Sequence, residues 1–176
     1  MARLDRQAAF SGTEEPPAGL TLDVASLGAY MAEKIPGLDR EFRVEKFKGG
    51  QSNPTYKLIG SNAVYVLRRR PPGKLLPSAH AIDREFRVMK ALGEVGVPVP
   101  TTYFYCDDER VIGSAFYIVS YNPGEVYWNA ELPGVSAEYR RQIYGDMSAR
   151  PGGWRGNQPQ GSGPEELGHT DNGQVH

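Results

Sequence analysis

The sequence predicts an α+β fold, a five-stranded antiparallel sheet carrying one long helix inserted after its third strand. Short runs rich in aromatic and β-branched residues recur between Gly, Pro and Asn breaks, the pattern of strands joined by tight turns. The stretch from Ser78 to about Val95 keeps apolar residues at three- to four-residue spacing, the pattern of an amphipathic helix. The composition, 39% hydrophobic over 176 residues, suits one domain core of ordinary size.

In chain order, residues 1–21 are charged and contain Pro16-Pro17, which predicts a flexible lead lacking the apolar stretch of a secretory signal. Asp23 is placed to cap a helix whose apolar positions are Val24, Leu27, Met31 and Ile35, and Pro36-Gly37 ends it. Residues 42–48, 55–59 and 63–69 then read as a three-stranded meander, separated by Gly49-Gly50 and Gly60-Ser61-Asn62. After Pro71-Pro72-Gly73, Ser78 caps the long helix, with Ile82, Phe86, Met89 and Leu92 along one face. Residues 101–106 and 115–120 flank the polar turn at Asp107-Asp108 and complete the sheet. A last helix starts at a Ser136 cap and runs through Ile143 to Met147, closing a lobe with flanking helices over residues 22–147. Gly, Pro, Gln and Asn dominate residues 148–176, where disorder is expected because little apolar surface offsets an ordering entropy of ~1–2 kcal/mol per residue.

Charge and cysteine content narrow the partners. A net charge of −1 with mixed signs gives no basic field for nucleic acid, and no run reaches the ~20 apolar residues of a membrane span. Cys106, the single cysteine, cannot pair within the chain, which fits a reducing compartment and a cytoplasmic location.

The chemistry-bearing residues fall into an ordered constellation. Gly49-Gly50-Gln51-Ser52-Asn53 is a small polar turn between two strands, where backbone N–H groups could approach a ligand closely. Taken alone it reads as an ordinary hairpin, without the spaced glycines of a protein-kinase loop. Arg68-Arg69-Arg70 ends the third strand, and Asp83 and Glu85 follow early on the long helix. Taken singly, these are a solvated edge and surface charges. A site that holds nucleotide phosphates needs such a pair: a strand cation to neutralise phosphate charge, and a helix carboxylate to keep that cation from folding into solvent. Side-chain alternation puts Arg68 and Arg70 on one face and Arg69 on the other, and Arg68 lies nearer the regular strand. On the helix, Asp83 and Glu85 lie about 200° apart, and Glu85 borders the face of Ile82 and Phe86. Turn, strand cation and helix carboxylate in this order favour a kinase-like nucleotide lobe.

The strings GGQSNPTYKL, YVLRRRPPGKLLPSAHAIDREFRVMKAL, GVPVP and VIGSAFYIV closely resemble the aminoglycoside-phosphotransferase-like family, and especially its branch related to the kinase-like domain of acyl-CoA dehydrogenase fusion proteins. The resemblance runs from about Phe42 to Met147 and implies a protein-kinase-like fold whose sheet and long helix form the N-terminal lobe over ATP. It implies Gly49, Gly50, Gln51, Ser52 and Asn53 over the phosphates, Arg68 where the family carries Lys or Arg, and Glu85 as its helix partner. Residues 117–121 would lead into the interlobe hinge, although Ser120-Tyr121-Asn122-Pro123-Gly124 departs from the family's acidic-then-apolar pattern there.

The family's Leu-His pair, His-Gly-Asp segment, downstream Asn and metal-binding Asp have no counterpart here. His169-Thr170-Asp171-Asn172 does not reproduce that loop, in which Asn follows Asp by several residues, and His80 reads as a surface or capping residue. The resemblance therefore implies a phosphotransferase that in complete form moves the γ-phosphate of ATP to a hydroxyl of a small molecule, such as a hydroxylated acyl-CoA. It implies an N-terminal lobe alone in this chain, truncated and inactive by itself, with Mg²⁺ requiring the other lobe. The alternatives are a nonenzymatic nucleotide-binding or interaction module, associating through its exposed lobe face, or a frameshifted fragment.

Overall fold

The computed structural model describes residues 9–38, 40–49, 52–71, 81–124 and 126–154, with the backbone alone over 149–154. The chain forms two compact units, Met1–Gly134 and Val135–His176.

The first unit is built on an antiparallel sheet of strands β1 (Thr13–Glu14), β2 (Arg43–Phe47), β3 (Thr55–Ile59), β4 (Val64–Arg69), β5 (Thr102–Cys106) and β6 (Phe116–Ser120), in the spatial order β1-β2-β3-β4-β6-β5. The sheet thus has six strands, not the five expected, because the lead adds an edge strand. Thr13 pairs with Phe47 and Glu14 with Lys46. The Thr13 hydroxyl donates to Glu45 Oε2 at 2.7 Å, and Lys46 Nζ meets Glu14 Oε1 at 3.1 Å. Farther along, a 3-10 turn at Ala18–Leu20 is held by the buried Tyr56, whose hydroxyl donates to the Leu20 carbonyl at 2.7 Å. Residues 12–20 are therefore tied to the sheet, in contrast to the flexible lead expected. A two-residue strand is too short to show alternation in the sequence.

Helix α1 (Val24–Lys34) starts where expected: Asp23 accepts from the Ser26 N–H at 3.0 Å and from its hydroxyl at 2.7 Å. Those bonds hold the Asp23 carboxyl below its ordinary value. Leu27, Met31 and Ile35 face the sheet and join Tyr56, Leu58, Leu67, Phe116 and Ile118 in the larger apolar core. Helix α2 (Ile82–Glu94) covers the opposite face, where Ile82, Phe86 and Met89 pack with Val66, Tyr105, Ala115, Tyr117 and Val119. The expected Ser78 cap lies outside the described residues, and α2 begins after Ala81 with no side-chain cap. Between β5 and β6 the polar turn contains a short helix, α3 (Glu109–Ile112), capped by Asp108 and closed by Gly113 at φ 80°. The Arg110 side chain and N–H hold the Asp108 carboxyl down to about 2. Covered on both faces and flanked by β4 and β5, β6 is a continuous apolar run.

In the second unit, helix α4 (Ala137–Trp154) starts at the predicted cap, with Ser136 Oγ accepting from the Tyr139 N–H at 3.2 Å. The helix continues past Met147, where disorder was expected, and residues 155–176 lie outside the described residues. Among the described residues, no helix is long and apolar enough to cross a membrane.

Candidate functional site

Strand register assembles the site before any side chain turns. Arg68 lies directly opposite Thr55 on β3 and Tyr117 on β6, so the three stand in a row across adjacent strands, on one face of the sheet. Helix α2 crosses that face, with the Phe86 ring against Tyr117 at 5.8 Å and Tyr105 at 6.2 Å between centroids. Those contacts fix the rotation of α2 and bring the next residue back, Glu85, over the row.

The Glu85 carboxylate is the hub. Arg68 Nε approaches Oε2 at 2.7 Å as a charge contact, although its N–H is not aligned for a hydrogen bond. Arg68 Nη2 donates to Oε1 at 3.3 Å, and Nη1 donates to Thr55 Oγ1 at 3.1 Å. Tyr117 donates its hydroxyl to Oε2 at 3.1 Å, and Asn53 Nδ2 reaches Oε1 at 3.4 Å. Burial, and then the neighbouring Glu85 charge, push the Tyr117 phenol well above its ordinary value, so it remains a donor. Turn, strand cation and helix carboxylate thus converge, and Asp83 turns away to pair with Arg87 at 2.9 Å.

Ser52, Asn53, Arg68, Glu85 and Tyr117 form one wall of an open concavity of about 810 Å³, and Ala81, Arg84, Val88 and Met89 of α2 continue it. Of the sequence-predicted residues, Arg68, Glu85, Ser52 and Asn53 lie together here, whereas Gly50 and Gln51, like His80, lie outside the described residues. Gly49 stands apart from this wall, where a Cβ would come within 3.2 Å of the Trp128 ring and 3.5 Å of the Phe10 carbonyl. Asn53 is only 3% exposed, with its side-chain donor on Glu85 and its Oδ1 buried without a partner. Its side chain therefore braces the carboxylate.

Sequence reasoning missed Tyr117 and Thr55 as parts of the site. Once Arg68 is chosen, pairing register identifies both, but register between distant strands is not written in either strand alone. Just past β6, Lys57 Nζ stands 4.5 Å from the Tyr121 ring, and the Ser120 hydroxyl donates to Asn122 Oδ1 at 3.1 Å. Among the described residues, no cluster of three or more His, Cys, Asp and Glu side chains could hold a metal ion.

The wall offers an anchored guanidinium, and the room beside it is open to solvent.

Comparison with known proteins agrees with this geometry. Residues 43–150 match the profile of the phosphotransferase enzyme family. Acyl-CoA dehydrogenase family member 11 of Rattus norvegicus is 44% identical over 126 residues, a stretch covering 69% of this chain and 16% of that protein. Acyl-CoA dehydrogenase family member 10 of Mus musculus is 50% identical over 103 residues, covering 58% of this chain and 10% of that protein. A crystal structure from Ralstonia eutropha, assigned as an aminoglycoside phosphotransferase, superposes with a TM-score of 0.69 at 38% identity, covering 86% of this chain and 44% of the other. The sheet and α2 have the architecture of that fold's kinase-like N-terminal lobe. The chain thus spans about a sixth of the length of the rat relative and less than half of the solved structure.

Proposed function

Since this chain belongs to the phosphotransferase enzyme family, we propose that it is a nucleotide-holding lobe, binding ATP for transfer of the γ-phosphate to a hydroxyl of a small molecule. The observation that carries this reading is the Arg68–Glu85 contact at 2.7 Å, braced by Thr55, Tyr117 and Asn53 at the wall of the open concavity.

Bound ATP supplies the phosphoryl group, and the chain's own residues bind and orient it. Arg68 offsets phosphate charge from a fixed position, because Thr55 and Glu85 hold opposite sides of its guanidinium. Glu85 would by itself repel phosphate; the Tyr117 and Asn53 donors and Arg68 absorb its charge, so it positions the cation without opposing the ligand. Val66, beside Arg68 on β4 and only partly buried, offers an apolar surface for the base on the same face of the sheet. The acceptor is a small molecule bearing a hydroxyl.

Calorimetric titration with Mg-ATP tests the reading. The wild-type chain should bind saturably. Arg68→Ala should weaken binding by about tenfold or more, because it removes a charge-assisted contact and leaves Glu85 facing the phosphates. Arg87→Ala, which alters an exposed pair elsewhere on α2, should bind as the wild type does. A folded wild type that takes up no nucleotide would sink the proposal.

A further inference from the structure

The concavity holds a second cation that the Glu85 cluster does not use. Ala81, Arg84, Glu85 and Val88 recur at three- and four-residue spacing, so a single face of α2 lines the space. On that face Arg84 is exposed, and among the described residues it makes no ion pair and no side-chain hydrogen bond. Both acids that flank it in sequence are committed elsewhere: Asp83 to Arg87 at 2.9 Å, and Glu85 to Arg68 at 2.7 Å.

The charge balance of the wall gives this arrangement meaning. Arg68 and Glu85 largely cancel, so the Arg68 guanidinium is a fixed directional donor more than a source of net field. Among the described lining residues, the remaining positive charge belongs to Arg84. A triphosphate carries several negative charges along a chain too long for one guanidinium to satisfy. Arg68 rises from the sheet and is tied down at Thr55, whereas Arg84 projects from the helix side of the same space and keeps its rotamer freedom.

We propose that Arg84 is a second phosphate-binding residue, one that engages the terminal phosphate of a bound nucleoside triphosphate, while Arg68 serves the phosphates nearer the nucleoside. This deepens the nucleotide-lobe reading and rests on it. The division of labour makes Arg84 a specificity residue: it distinguishes a triphosphate from a diphosphate, which Arg68 does not.

The test compares Mg-ATP and Mg-ADP by calorimetry on the whole chain, in wild type, Arg84→Ala, Arg84→Lys, Arg68→Ala and Arg87→Ala, with a melting curve to show that each variant is folded. Arg84→Ala should lose about tenfold in ATP affinity while ADP affinity stays within roughly twofold, so that the preference for triphosphate collapses. Arg84→Lys should recover much of that preference, and Arg68→Ala should weaken both ligands. An unchanged ATP-to-ADP ratio in folded Arg84→Ala, with Arg68→Ala still weakening both, overturns this inference and leaves the nucleotide lobe standing. Equal weakening of both ligands by Arg84→Ala also overturns it, since the residue would then supply only a general field. Absence of binding of either nucleotide by the wild type removes the underlying reading as well.

Discussion

Arg68 and Arg69 are neighbours of identical chemistry with opposite fates. Alternation sends Arg68 to the Glu85 cluster and Arg69 to the other face, where it is 5% exposed and its Nε donates to Ser114 Oγ at 3.0 Å. Burial pushes the Tyr56 phenol above its ordinary range, and the nearby Arg69 charge partly offsets that rise. Arg69→Ala is therefore a change in the fold: it should cost about 2–3 kcal/mol through the cavity and the partners left behind, read as a lower urea midpoint. Arg68→Ala, at a partly exposed pair, should cost about 1 kcal/mol or less by the same measurement.

Which way each arginine points was legible in the sequence. Burial of Arg69 was not, because it depends on Ser114, 45 residues away along the chain. Tyr117 offers a pH test at this scale. Its folded value lies above the ordinary value of 10.0, so the native state holds the proton more tightly than the unfolded chain does. The stability this contributes is complete below about pH 10 and is lost as pH rises beyond it. Urea midpoints between about pH 9 and 11 should fall more steeply for wild type than for Tyr117→Phe, which at neutral pH should lose about 1 kcal/mol with the Glu85 hydrogen bond.

At the scale of elements, the helices were legible where their caps and apolar stripes are local. Asp23 starts α1, Pro36-Gly37 follows its end, and Phe86 and Met89 face the sheet as their spacing predicts. What stayed hidden was either very short or dependent on a distant partner: α3 is a single turn closed locally by Asp108 and Gly113, and β1 exists because β2 offers a free edge. Gly28 is a further case. It sits buried in α1, and a Cβ there would collide with the backbone carbonyl of Arg40, which cannot swing aside as a side-chain end could. Gly28→Ala improves helix propensity by about 1 kcal/mol, but should still lower the melting temperature, because overpacking typically costs about 1–3 kcal/mol and here the obstacle is backbone.

For the whole molecule, the order turn, strand cation, inserted helix and helix carboxylate located the fold class, since those elements are consecutive in the chain. The assembled site was less legible: Thr55, Arg68, Glu85 and Tyr117 come from four elements, and their meeting depends on register and helix rotation together. The aromatic pair of Phe10 and Trp128, with centroids 5.3 Å apart, lies beside Gly49, so the phosphate-loop candidate carries its own optical reporter. The chain has two tryptophans, and replacing Trp154 by Phe leaves Trp128 as the sole indole emitter. Any shift of Gly49 against that half-exposed ring changes the polarity around the indole and hence the colour of its emission, a spectrum that can be recorded during titration.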